Sequence, residues 1–498
     1  MIRRYWLVLY LFGILLGFFT GLGAAWAESL EKTDPLTLSD FCPQTVRQAV
    51  YEVGPGLYRS LFAGRTFDGH PLIFHVLEAD LNNPLVDVQV VPGGPSLGQG
   101  ATLSQLAASY GADAGLNGGY FYRGEGGVYP VGTLKVDNET YITETMWRPS
   151  LGISGGRKII FGYYNPELKI YWPGGGIGVS IINHSFSGSE PVLYTSRWGK
   201  NTSTPAGTRE IILERTGSDT YRVTGLMAGN APIEPGRLVL ALPDEGRQLP
   251  RPGQEVRVAP GAGVAWEQVE DVLTAGPLLV EAGKPVWEMA LEGFTSNIFN
   301  RSPWSAVGLT ADNKLLLVAV DGRSSESAGL LPEELSLLML ELGAVEAMAL
   351  DGGGSTTFWA QGSVCNRPSD GSERELASAL LVFSQVKVFI NGERLYFDVP
   401  PRFMGDRVFV PFRKIFAALG AEVEWEESTA TVRARLAGRQ VSLKIGSRQA
   451  LVNGETVELE APAVAVEGRA LVPVRFIAEA LGSRVDWDAS TQSVKITI

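Results

Sequence analysis

Apolar residues along this chain come in short runs, which polar and glycine-rich clusters interrupt. The apolar run at residues 347–350 leads into Asp351, three glycines, Ser355 and two threonines. Four apolar residues bounded by turn signals predict a buried strand. Glycines after a strand predict a loop whose backbone comes close to another group. An aspartate beside backbone N–H groups and hydroxyls suits an anionic substrate, and the simpler alternative is a tight turn capped by Asp351.

Two further segments have a clear pattern. The run KLLLVAV at residues 314–320 predicts a second buried strand, which ends at Asp321. Residues 331–342 predict a helix, with Pro332 at its first position and two glutamates in its first turn. Because Asp321 and Asp351 both follow predicted strands, we expect them at the same edge of one sheet.

The composition indicates many short elements. The chain has 59 glycines and 29 prolines among its 498 residues, with short apolar runs between them. From this pattern we expect an α/β fold of mixed, α+β character. The expected domains are a large strand-rich catalytic domain at residues 51–385 and a smaller two-repeat α+β module at residues 386–498.

The last part of the chain is duplicated. Residues 407–437 align with residues 469–498 at a constant offset, including a Val-Pro pair, an Arg, a Leu-Gly pair and a Trp. Each copy predicts a hairpin through Asn-Gly, a strand, a helix and a final hairpin. Pro411 and Pro473 are expected in the first turn of their helices. The module resembles the copper amine oxidase N-terminal-like domain, although it contains no histidine that could bind copper.

The two tryptophans of this repeat, Trp425 and Trp487, alternate with polar residues as in a half-buried strand. We expect them to pack in the core, with exposed stacking against sugars as the alternative. The module is expected to associate with the cell wall or to act as a spacer.

The beginning of the chain predicts export. Arg3 and Arg4 precede an uncharged apolar run, and residues 25–27 offer a small-x-small cleavage site. Residues 1–27 are therefore predicted as a cleaved signal peptide, with an uncleaved anchor as the alternative, and residues 28–50 as a linker. In either case we expect a secreted or cell-surface protein. Its net charge of −12 argues against nucleic-acid binding.

Cysteine and histidine are scarce. Cys42 and Cys365 could form one disulfide in an oxidising compartment or remain two unpaired thiols. Two cysteines and three scattered histidines do not form a zinc framework, so we predict no metal ligands and no cofactor. An all-carboxylate magnesium or calcium site remains open.

Ordered blocks in the larger region resemble the phosphodiester glycosidase family. The blocks are LNGGYF at residues 116–121, GPLLV at 276–280, RxxxxAVG at 301–308, DGR at 321–323, LDGGGSTT at 350–357 and NRPSD…ER at 366–374. The resemblance implies hydrolysis of a sugar that is joined through its anomeric carbon to a phosphodiester. Bacterial members of the family are often associated with exopolysaccharide or cell-envelope glycans, so the resemblance implies a phosphoglycan or polysaccharide as the partner.

The residues themselves are compatible with this chemistry. Glycoside cleavage usually requires two carboxyl groups, for which we select Asp351 and Asp321. A phosphate leaving group needs charge neutralisation, which arginines supply well, and Arg301 is the third predicted catalytic residue. The predicted substrate-binding residues are Asn117, Gly118, Arg148, Arg323, Gly352, Gly353, Gly354, Ser355, Thr356, Asn366 and Arg374.

Several alternatives stay open at this point. Arg301 and Arg374 could form structural ion pairs, and Asn117 could be only a turn residue. The whole domain could bind envelope glycans or assist exopolysaccharide assembly without catalysis. It could also be a phosphodiesterase that cuts the P–O bond, a reaction that usually recruits metals held by several His and Asp side chains.

Overall fold

The computed structural model describes residues 45–497, apart from residues 125, 145, 244–247, 261–265, 267, 287–291, 295–297, 299, 406, 437 and 467. The predicted signal peptide and Cys42 lie outside the described residues. Cleavage therefore stays a prediction, and both alternatives for Cys42 and Cys365 stay open. Within the described part of the chain, no helix is both long enough and apolar enough to cross a bilayer.

The helices are short. The α-helices of the described residues are α1 (Leu103–Tyr110), α2 (Pro332–Glu341), α3 (Phe412–Ala418) and α4 (Val474–Leu481). The predicted helix at residues 331–342 is confirmed as α2. Pro332 takes its first position, and the Glu334 side chain accepts a hydrogen bond from the Leu331 N–H at 2.8 Å.

Strands make up most of the chain. In the larger region they are β1 (Val46–Gly54), β2 (Leu57–Arg65), β3 (Pro71–Asp80), β4 (Val86–Pro92), β5 (Ala114–Asn117), β6 (Phe121–Gly124), β7 (Gly127–Pro130), β8 (Leu134–Val136), β9 (Glu139–Ile142), β10 (Pro149–Ser154), β11 (Lys158–Tyr163), β12 (Leu168–Trp172), β13 (Gly175–Val179), β14 (Ile181–Ile182), β15 (Val192–Tyr194), β16 (Arg209–Arg215), β17 (Thr220–Ala228), β18 (Arg237–Leu242), β19 (Glu255–Pro260), β20 (Asp271–Thr274), β21 (Leu278–Glu281), β22 (Lys284–Pro285), β23 (Trp304–Thr310), β24 (Lys314–Val320), β25 (Ala344–Ala349), β26 (Phe358–Ala360), β27 (Ser363–Val364) and β28 (Ser378–Ser384).

The C-terminal module continues the series. Its strands are β29 (Lys387–Ile390), β30 (Glu393–Leu395), β31 (Arg402–Met404), β32 (Arg407–Pro411), β33 (Glu422–Glu426), β34 (Thr431–Leu436), β35 (Arg439–Lys444), β36 (Gln449–Val452), β37 (Glu455–Glu458), β38 (Val464–Val466), β39 (Arg469–Pro473), β40 (Arg484–Asp488) and β41 (Ser493–Thr497).

The fold is β-rich, and the predicted α/β or α+β class is wrong. Strands hold 51% of the chain and helices 9%. The reason is the way the strands connect. Antiparallel neighbours need only a turn between them, whereas parallel neighbours need a crossover that is usually helical. Most neighbouring strands pair antiparallel, β14 with β15 and β29 with β41 being parallel exceptions. The well-marked helix α2 is thus unrepresentative of the chain.

The main sheet has eight strands in the order β1-β2-β3-β24-β23-β25-β21-β22. The predicted strand at residues 314–320 is confirmed as β24, and β25 is the apolar strand that precedes Asp351. Both β24 and β25 pair antiparallel with β23, so they run in the same direction. Asp321 and Asp351 therefore leave the same edge of this sheet, as the sequence predicts.

A second sheet, in the order β27-β26-β5-β28-β4, packs against the first. Leu116 of β5 and Leu380 of β28 share one buried cluster with Leu77 of β3 and Leu317 of β24. A third sheet, β11-β10-β20-β8-β9, contributes Leu151 to the same cluster. The eight-stranded sheet β13-β12-β19-β17-β16-β18-β15-β14 has its own core. The candidate site thus lies on layers that share one apolar interior.

The two copies of the C-terminal repeat are interlocked. Strand β32 of the first copy pairs with β39 of the second, and helices α3 and α4 contribute to one core. The predicted Asn-Gly hairpins are confirmed, with positive φ at both residues of each turn. The prolines differ from the prediction: Pro411 and Pro473 end β32 and β39, and each helix begins at the next residue.

The tryptophans of the repeat are exposed, so the expectation of core packing is wrong. Trp425 is 45% exposed and Trp487 is 42% exposed. The physical reason is that β33 and β40 are both edge strands of their sheets, where one face of the strand meets solvent.

A buried charge cluster joins the module to the larger region. Asp87 on β4 accepts a hydrogen bond from Lys387 at 3.1 Å and forms a second ion pair with Arg394. The Asp87 and Lys387 side chains are 3% and 6% exposed. Because these charges have lost most of their water, they depend on one another for compensation.

Candidate active site

The loop after β25 is anchored by its backbone. The Asp351 N–H donates to the Gly118 carbonyl at 3.1 Å, and the Gly353 N–H donates to the Pro303 carbonyl at 2.9 Å. One turn of 3₁₀-helix follows at Gly353–Ser355. The loop is therefore held between the end of β5 and the start of β23, in a fixed conformation.

Asp351 lies half-buried at the start of this loop. Burial raises the pKa of Asp351 to about 6, while a hydrogen bond from Ser355 and the charge of Arg374 act in the opposite direction. A carboxyl group with a pKa near 6 changes protonation close to neutral pH. It can therefore serve as a base, a nucleophile or an acid.

The three glycines are needed because the loop packs tightly against charged side chains. Gly353 has a φ of +60°, and a Cβ there would lie 3.1 Å from a terminal nitrogen of Arg323. A Cβ on Gly354 would lie 2.3 Å from a terminal nitrogen of Arg374. On Gly352 it would lie 2.9 Å from a backbone carbonyl. Two guanidinium groups thus lie directly against the loop backbone.

Arg374 connects this loop to the next segment. Its Nε donates to Asp370 at 2.6 Å, and one terminal nitrogen lies 3.4 Å from the Ser355 hydroxyl. Ser355 itself hydrogen-bonds Asp351. Arg374, Ser355 and Asp351 therefore form one connected group, and their predicted catalytic and substrate-binding roles stay predictions. The ion pair with Asp370 leaves part of the guanidinium free for an anion.

Asn117 and Gly118 position the loop. The Asn117 side chain is fully buried and donates to the Asp351 carbonyl at 2.7 Å. Its oxygen accepts from the Ser305 hydroxyl and the Thr357 N–H. Both polar atoms of the Asn117 side chain are engaged by these partners, so neither is available to bind substrate. The structure thus favours a structural role for Asn117 over the predicted substrate-binding role. Gly118 is likewise buried, and it packs so closely on Ser378 that a Cβ there would lie 2.3 Å from the Ser378 hydroxyl.

Asp321 is oriented by the segment that follows the loop. Its Oδ1 accepts from the Asn366 side chain at 3.2 Å and from the Arg367 N–H at 3.0 Å. Burial raises the pKa of Asp321, and these two hydrogen bonds oppose the shift. Asn366 also donates to the Thr356 carbonyl, so it ties Asp321 to the same loop as Asp351. Asn366, predicted to bind substrate, is a positioning residue here.

Arg301 is engaged elsewhere. Its guanidinium forms a bidentate pair with Glu334 at 2.6 Å and a further pair with Asp68 at 2.6 Å. The structure therefore favours the structural ion pair over the predicted catalytic role. Arg301 links the start of β23 to α2, whose first turn contains Glu334.

Thr356, predicted to bind substrate, has a buried hydroxyl with no hydrogen-bond partner among the described residues.

A second cationic group, Arg148, lies beside Tyr120. The guanidinium of Arg148 stacks over Phe294 at 4.3 Å and over Tyr120 at 5.4 Å. Within the described ranges, Arg148 has no carboxylate at ion-pair distance. Burial raises the pKa of Tyr120, and the nearby negative charge of Asp351 adds to the shift. The charges of Asp351 and Arg148 thus both act on Tyr120, and the substrate-binding role of Arg148 stays a prediction.

Sequence reasoning missed Glu292 and Tyr163 beside this arginine. Glu292 is 4% exposed, and its Oε1 accepts from the Leu278 N–H at 3.1 Å and from the Tyr163 hydroxyl at 3.3 Å. Burial raises the pKa of Glu292 to about 7, opposed by these hydrogen bonds and by Arg148. Glu292 lies in none of the sequence blocks that indicated the site, so no local signal could have identified it. Tyr120 does lie in one of them, the LNGGYF block, and could have been named as a site residue.

The described residues contain no group of three or more His, Cys, Asp or Glu side chains arranged to hold a metal ion. What they do contain is a carboxyl group with a raised pKa and three nearby guanidinium groups. These are Asp351, with Arg323, Arg374 and Arg148. Such an arrangement can bind a phosphate and present a carboxylate to the carbon or water beside it.

Two solved structures share the fold of this chain. A hypothetical protein from Synechocystis matches with a TM-score of 0.56 and 22% identity, over 66% of this chain and 62% of that chain. A candidate exported protein from Burkholderia pseudomallei K96243 matches with a TM-score of 0.52 and 24% identity, over 63% and 74%. The catalytic domain of zebrafish N-acetylglucosamine-1-phosphodiester alpha-N-acetylglucosaminidase aligns with a TM-score of 0.37 and 16% identity, over 68% and 87%.

Curated relatives match over short stretches. The SPbeta prophage-derived uncharacterized protein YomE of Bacillus subtilis (strain 168) is 37% identical over 82 residues, which is 16% of this chain. The primary amine oxidase of Klebsiella aerogenes is 30% identical over 111 residues, or 22% of this chain. The chain spans 13% of the length of each of these relatives.

Family models identify both parts of the chain. Residues 389–496 match the copper amine oxidase N-terminal domain. Residues 219–383 match the phosphodiester glycosidase family, and this range includes Asp321, Asp351 and Arg374. The predicted resemblance is thus confirmed: the two family models match these two ranges, in the order that the sequence predicts.

Proposed function

We propose that this protein is an exported hydrolase that cleaves the glycosyl C–O bond of sugar-1-phosphodiesters in envelope or extracellular polysaccharide. The observation that carries the proposal is the grouping of Asp351, whose pKa is about 6, with Arg374, Arg323 and Arg148. In a protein with a net charge of −12, a local concentration of guanidinium groups favours an anionic ligand.

The reaction balances with water alone. The bond between the anomeric carbon and the bridging oxygen breaks, and the phosphate monoester leaves with that oxygen and with the bonding electron pair. Water supplies the hydroxyl of the released sugar, and its other proton goes to Asp351 or to solvent. Because a phosphate is a weak base, it leaves without strong general-acid assistance, and the arginines stabilise its charge.

Within this proposal Asp351 acts in its ionised form, as the nucleophile or as the base that activates water. Asp321 is the second carboxyl group, oriented by Asn366 and the Arg367 N–H. Asn117 acts through Asp351, because it fixes the loop backbone. The backbone at Gly353 and Gly354 lets two guanidinium groups approach a phosphate.

The C-terminal module enters the proposal as an envelope-binding part. Trp425 and Trp487 are exposed at equivalent positions of the two copies, which suits stacking against sugar rings. The test measures how much of the purified protein is retained on isolated cell wall. We expect the wild type to be retained, and a variant in which Trp425 and Trp487 are both changed to alanine to lose this retention.

The test of the reaction uses a panel of glycosyl-1-phosphodiesters in oxygen-18 water. We expect the label in the released sugar, which is the signature of C–O cleavage, and no turnover by Asp351→Asn. Asp398→Asn is the matched control, because Asp398 pairs with Arg469 at the surface of the C-terminal module. Label in the phosphate would instead establish P–O cleavage. Retention on envelope glycans without turnover by the wild type would indicate a binding protein.

A further inference from the structure

The sheet formed by strands β12–β19 rolls up around its own core. Its two outer strands are β13 and β14, yet only Ser180 separates them in the chain. The two edges of the sheet therefore meet where β13 finishes and β14 begins, and the sheet curls back on itself as in a β-barrel. Side chains that include Ile170 and Leu213 fill its interior. The open end of such a rolled sheet is a common place for a ligand to bind.

A cleft of about 550 Å³ lies at the end where the two edges meet. It is lined by Leu168 at the start of β12, Arg215 at the end of β16 and Leu238 near the start of β18. Asp137 and Asn138, in the hairpin between β8 and β9, add a contribution from the third sheet. The volume is within the range of about 300–1,000 Å³ that is typical of small-ligand sites. No residue of the candidate active site is among the described residues that line this cleft.

The two parts of the lining are fixed to the rest of the protein. Asp271, which is buried, accepts a hydrogen bond from the Asp137 N–H at 2.8 Å and so holds the hairpin. The buried Asn183 side chain donates to the Tyr141 carbonyl in β9 and to the Thr195 hydroxyl, both at 2.8 Å. These bonds connect the hairpin to the mouth of the rolled sheet. A ligand therefore meets a prearranged cleft and loses little affinity to ordering of the protein.

The apolar part of the lining is aliphatic. Leu168, Leu238 and Val258 are partly buried against the core of the rolled sheet, and each leaves some surface in the cleft. Tyr221, the one aromatic residue among the described residues of the lining, is only 8% exposed. The cleft thus suits aliphatic side chains better than it suits the flat ring of a sugar or a nucleobase, which would stack on an exposed aromatic ring.

Two charges in the lining lack a partner of opposite sign. Glu139 and Arg237 are already paired within the protein. Asp137 has no cation, and Arg215 no carboxylate, at ion-pair distance among the residues that the structure describes. The Arg215 guanidinium donates to one backbone carbonyl at 3.2 Å. Burial and the charge of Glu270 raise the pKa of Asp137, so a ligand cation beside this carboxylate would be favourable.

We propose that this cleft binds a short peptide of two or three residues with aliphatic side chains, whose ammonium group pairs with Asp137 and whose carboxylate pairs with Arg215. The volume equals that of about 18 water molecules at about 30 Å³ each, which is room for a peptide of this length. An anionic lipid would use Arg215 and leave Asp137 unpaired, and a neutral sugar would use neither charge. The proposal is independent of the proposed reaction, because it concerns a separate site.

The experiment is isothermal titration calorimetry of the full chain with leucyl-leucine, N-acetyl-leucyl-leucine and leucyl-leucine amide. We expect wild type to bind the free dipeptide and to bind each blocked form at least about tenfold more weakly. This is the size of one hydrogen bond to a charged group, which acetylation removes at the ammonium end and amidation at the carboxylate end. Decanoate and glucose are titrated as the lipid-like and sugar alternatives.

Variants assign each charge of the peptide to one residue. Arg215→Gln should weaken binding of leucyl-leucine at least about tenfold and should then bind the free dipeptide and its amide equally. Asp137→Asn should likewise no longer distinguish the free dipeptide from its N-acetyl form. Arg222→Gln is the matched control, because Arg222 is an exposed arginine on β17 of the same sheet that does not line the cleft. It should bind as wild type does.

Several outcomes would overturn the proposal. One is that wild type does not bind leucyl-leucine at millimolar concentration, and another is that it binds the free and blocked peptides equally. If Arg215→Gln still prefers the free dipeptide to the amide, the carboxylate lies elsewhere and the assignment is wrong. Binding of decanoate that depends on Arg215 but not on Asp137 would identify an anionic lipid instead, and tighter binding of glucose than of the dipeptide would identify a sugar.

Discussion

The substitution Asp87→Asn tests whether the C-terminal module is held by buried charge. Asp87 accepts from Lys387 at 3.1 Å and pairs with Arg394. Replacing the carboxylate by an amide keeps its size but removes its charge. Lys387 and Arg394 then remain as two cations, 6% and 12% exposed, without a counter-charge.

The expected cost follows from this burial. Removing one partner of a buried ion pair costs about 3–5 kcal/mol, because the remaining charge has no solvent to compensate it. An exposed pair contributes only about 0–1 kcal/mol. Burial, together with the charge of Arg157, lowers the pKa of Lys387 to about 8. At pH 9 Lys387 is therefore mostly neutral even in the wild type, so less of its ion pair with Asp87 remains to be lost, and we expect a smaller cost there than at pH 7.

The assay is urea unfolding of the full chain, followed by tryptophan fluorescence and circular dichroism. With a slope of about 3 kcal/mol per molar urea, the midpoint for unfolding of the module should fall by at least about 1 M. Asp398→Asn is the matched control, because Asp398 and Arg469 form an ion pair whose side chains are about half exposed. Its midpoint should change little.

The reasoning is refuted if Asp87→Asn and Asp398→Asn change the midpoint equally. A companion variant changes Asp87 to leucine and both Lys387 and Arg394 to methionine. If the cost arises from uncompensated charge, this variant should be more stable than Asp87→Asn, since it leaves no charge buried.

Three further predictions concern the loop around Asp351. Because burial raises the pKa of Asp351 from 3.8 to about 6, its ionisation destabilises the fold as pH rises through this interval; Asp351→Asn should therefore be more stable than wild type at pH 7, by up to about 3 kcal/mol, and equally stable near pH 3, as measured by thermal unfolding. If Asp351 acts ionised, kcat/KM should increase about tenfold per pH unit below about pH 6 and then level off, and a profile that falls across this range would contradict that role. Gly354→Ala places a Cβ 2.2 Å from Asp370 and 2.3 Å from Arg374, so it should reduce kcat/KM at least about tenfold while the fold persists; Gly225→Ala, whose Cβ meets only a side-chain methyl at 3.5 Å, should change neither.

Local pattern and motif order were enough for much of this protein. The apolar runs define β24 and β25, and proline with two glutamates defines α2. The duplicated segments and the Asn-Gly turns define the C-terminal module. The ordered blocks indicate the phosphodiester glycosidase family, whose model matches residues 219–383. These features depend on neighbours a few residues apart, which is the range that a sequence pattern describes.

Burial and charge pairing required the tertiary structure. Asn117 lies beside Asp351 only because β5 and β25 meet in space, and the same closeness leaves it no capacity for substrate. The sequence left both a catalytic role and a structural ion pair open for Arg301, and the fold pairs it with Glu334 and Asp68.

What the sequence by itself determined was the order of the motif blocks and the buried strands that lead into the candidate residues Asp321 and Asp351. Only the tertiary structure decided the overall β-rich class and the raised pKa of Asp351. It also brought Trp147, Tyr163 and Glu292 together beside Arg148. The physical reason is that the loss of water around a side chain, and its pairing with other charges, depend on residues that are far apart in the chain. A local sequence pattern does not record these neighbours.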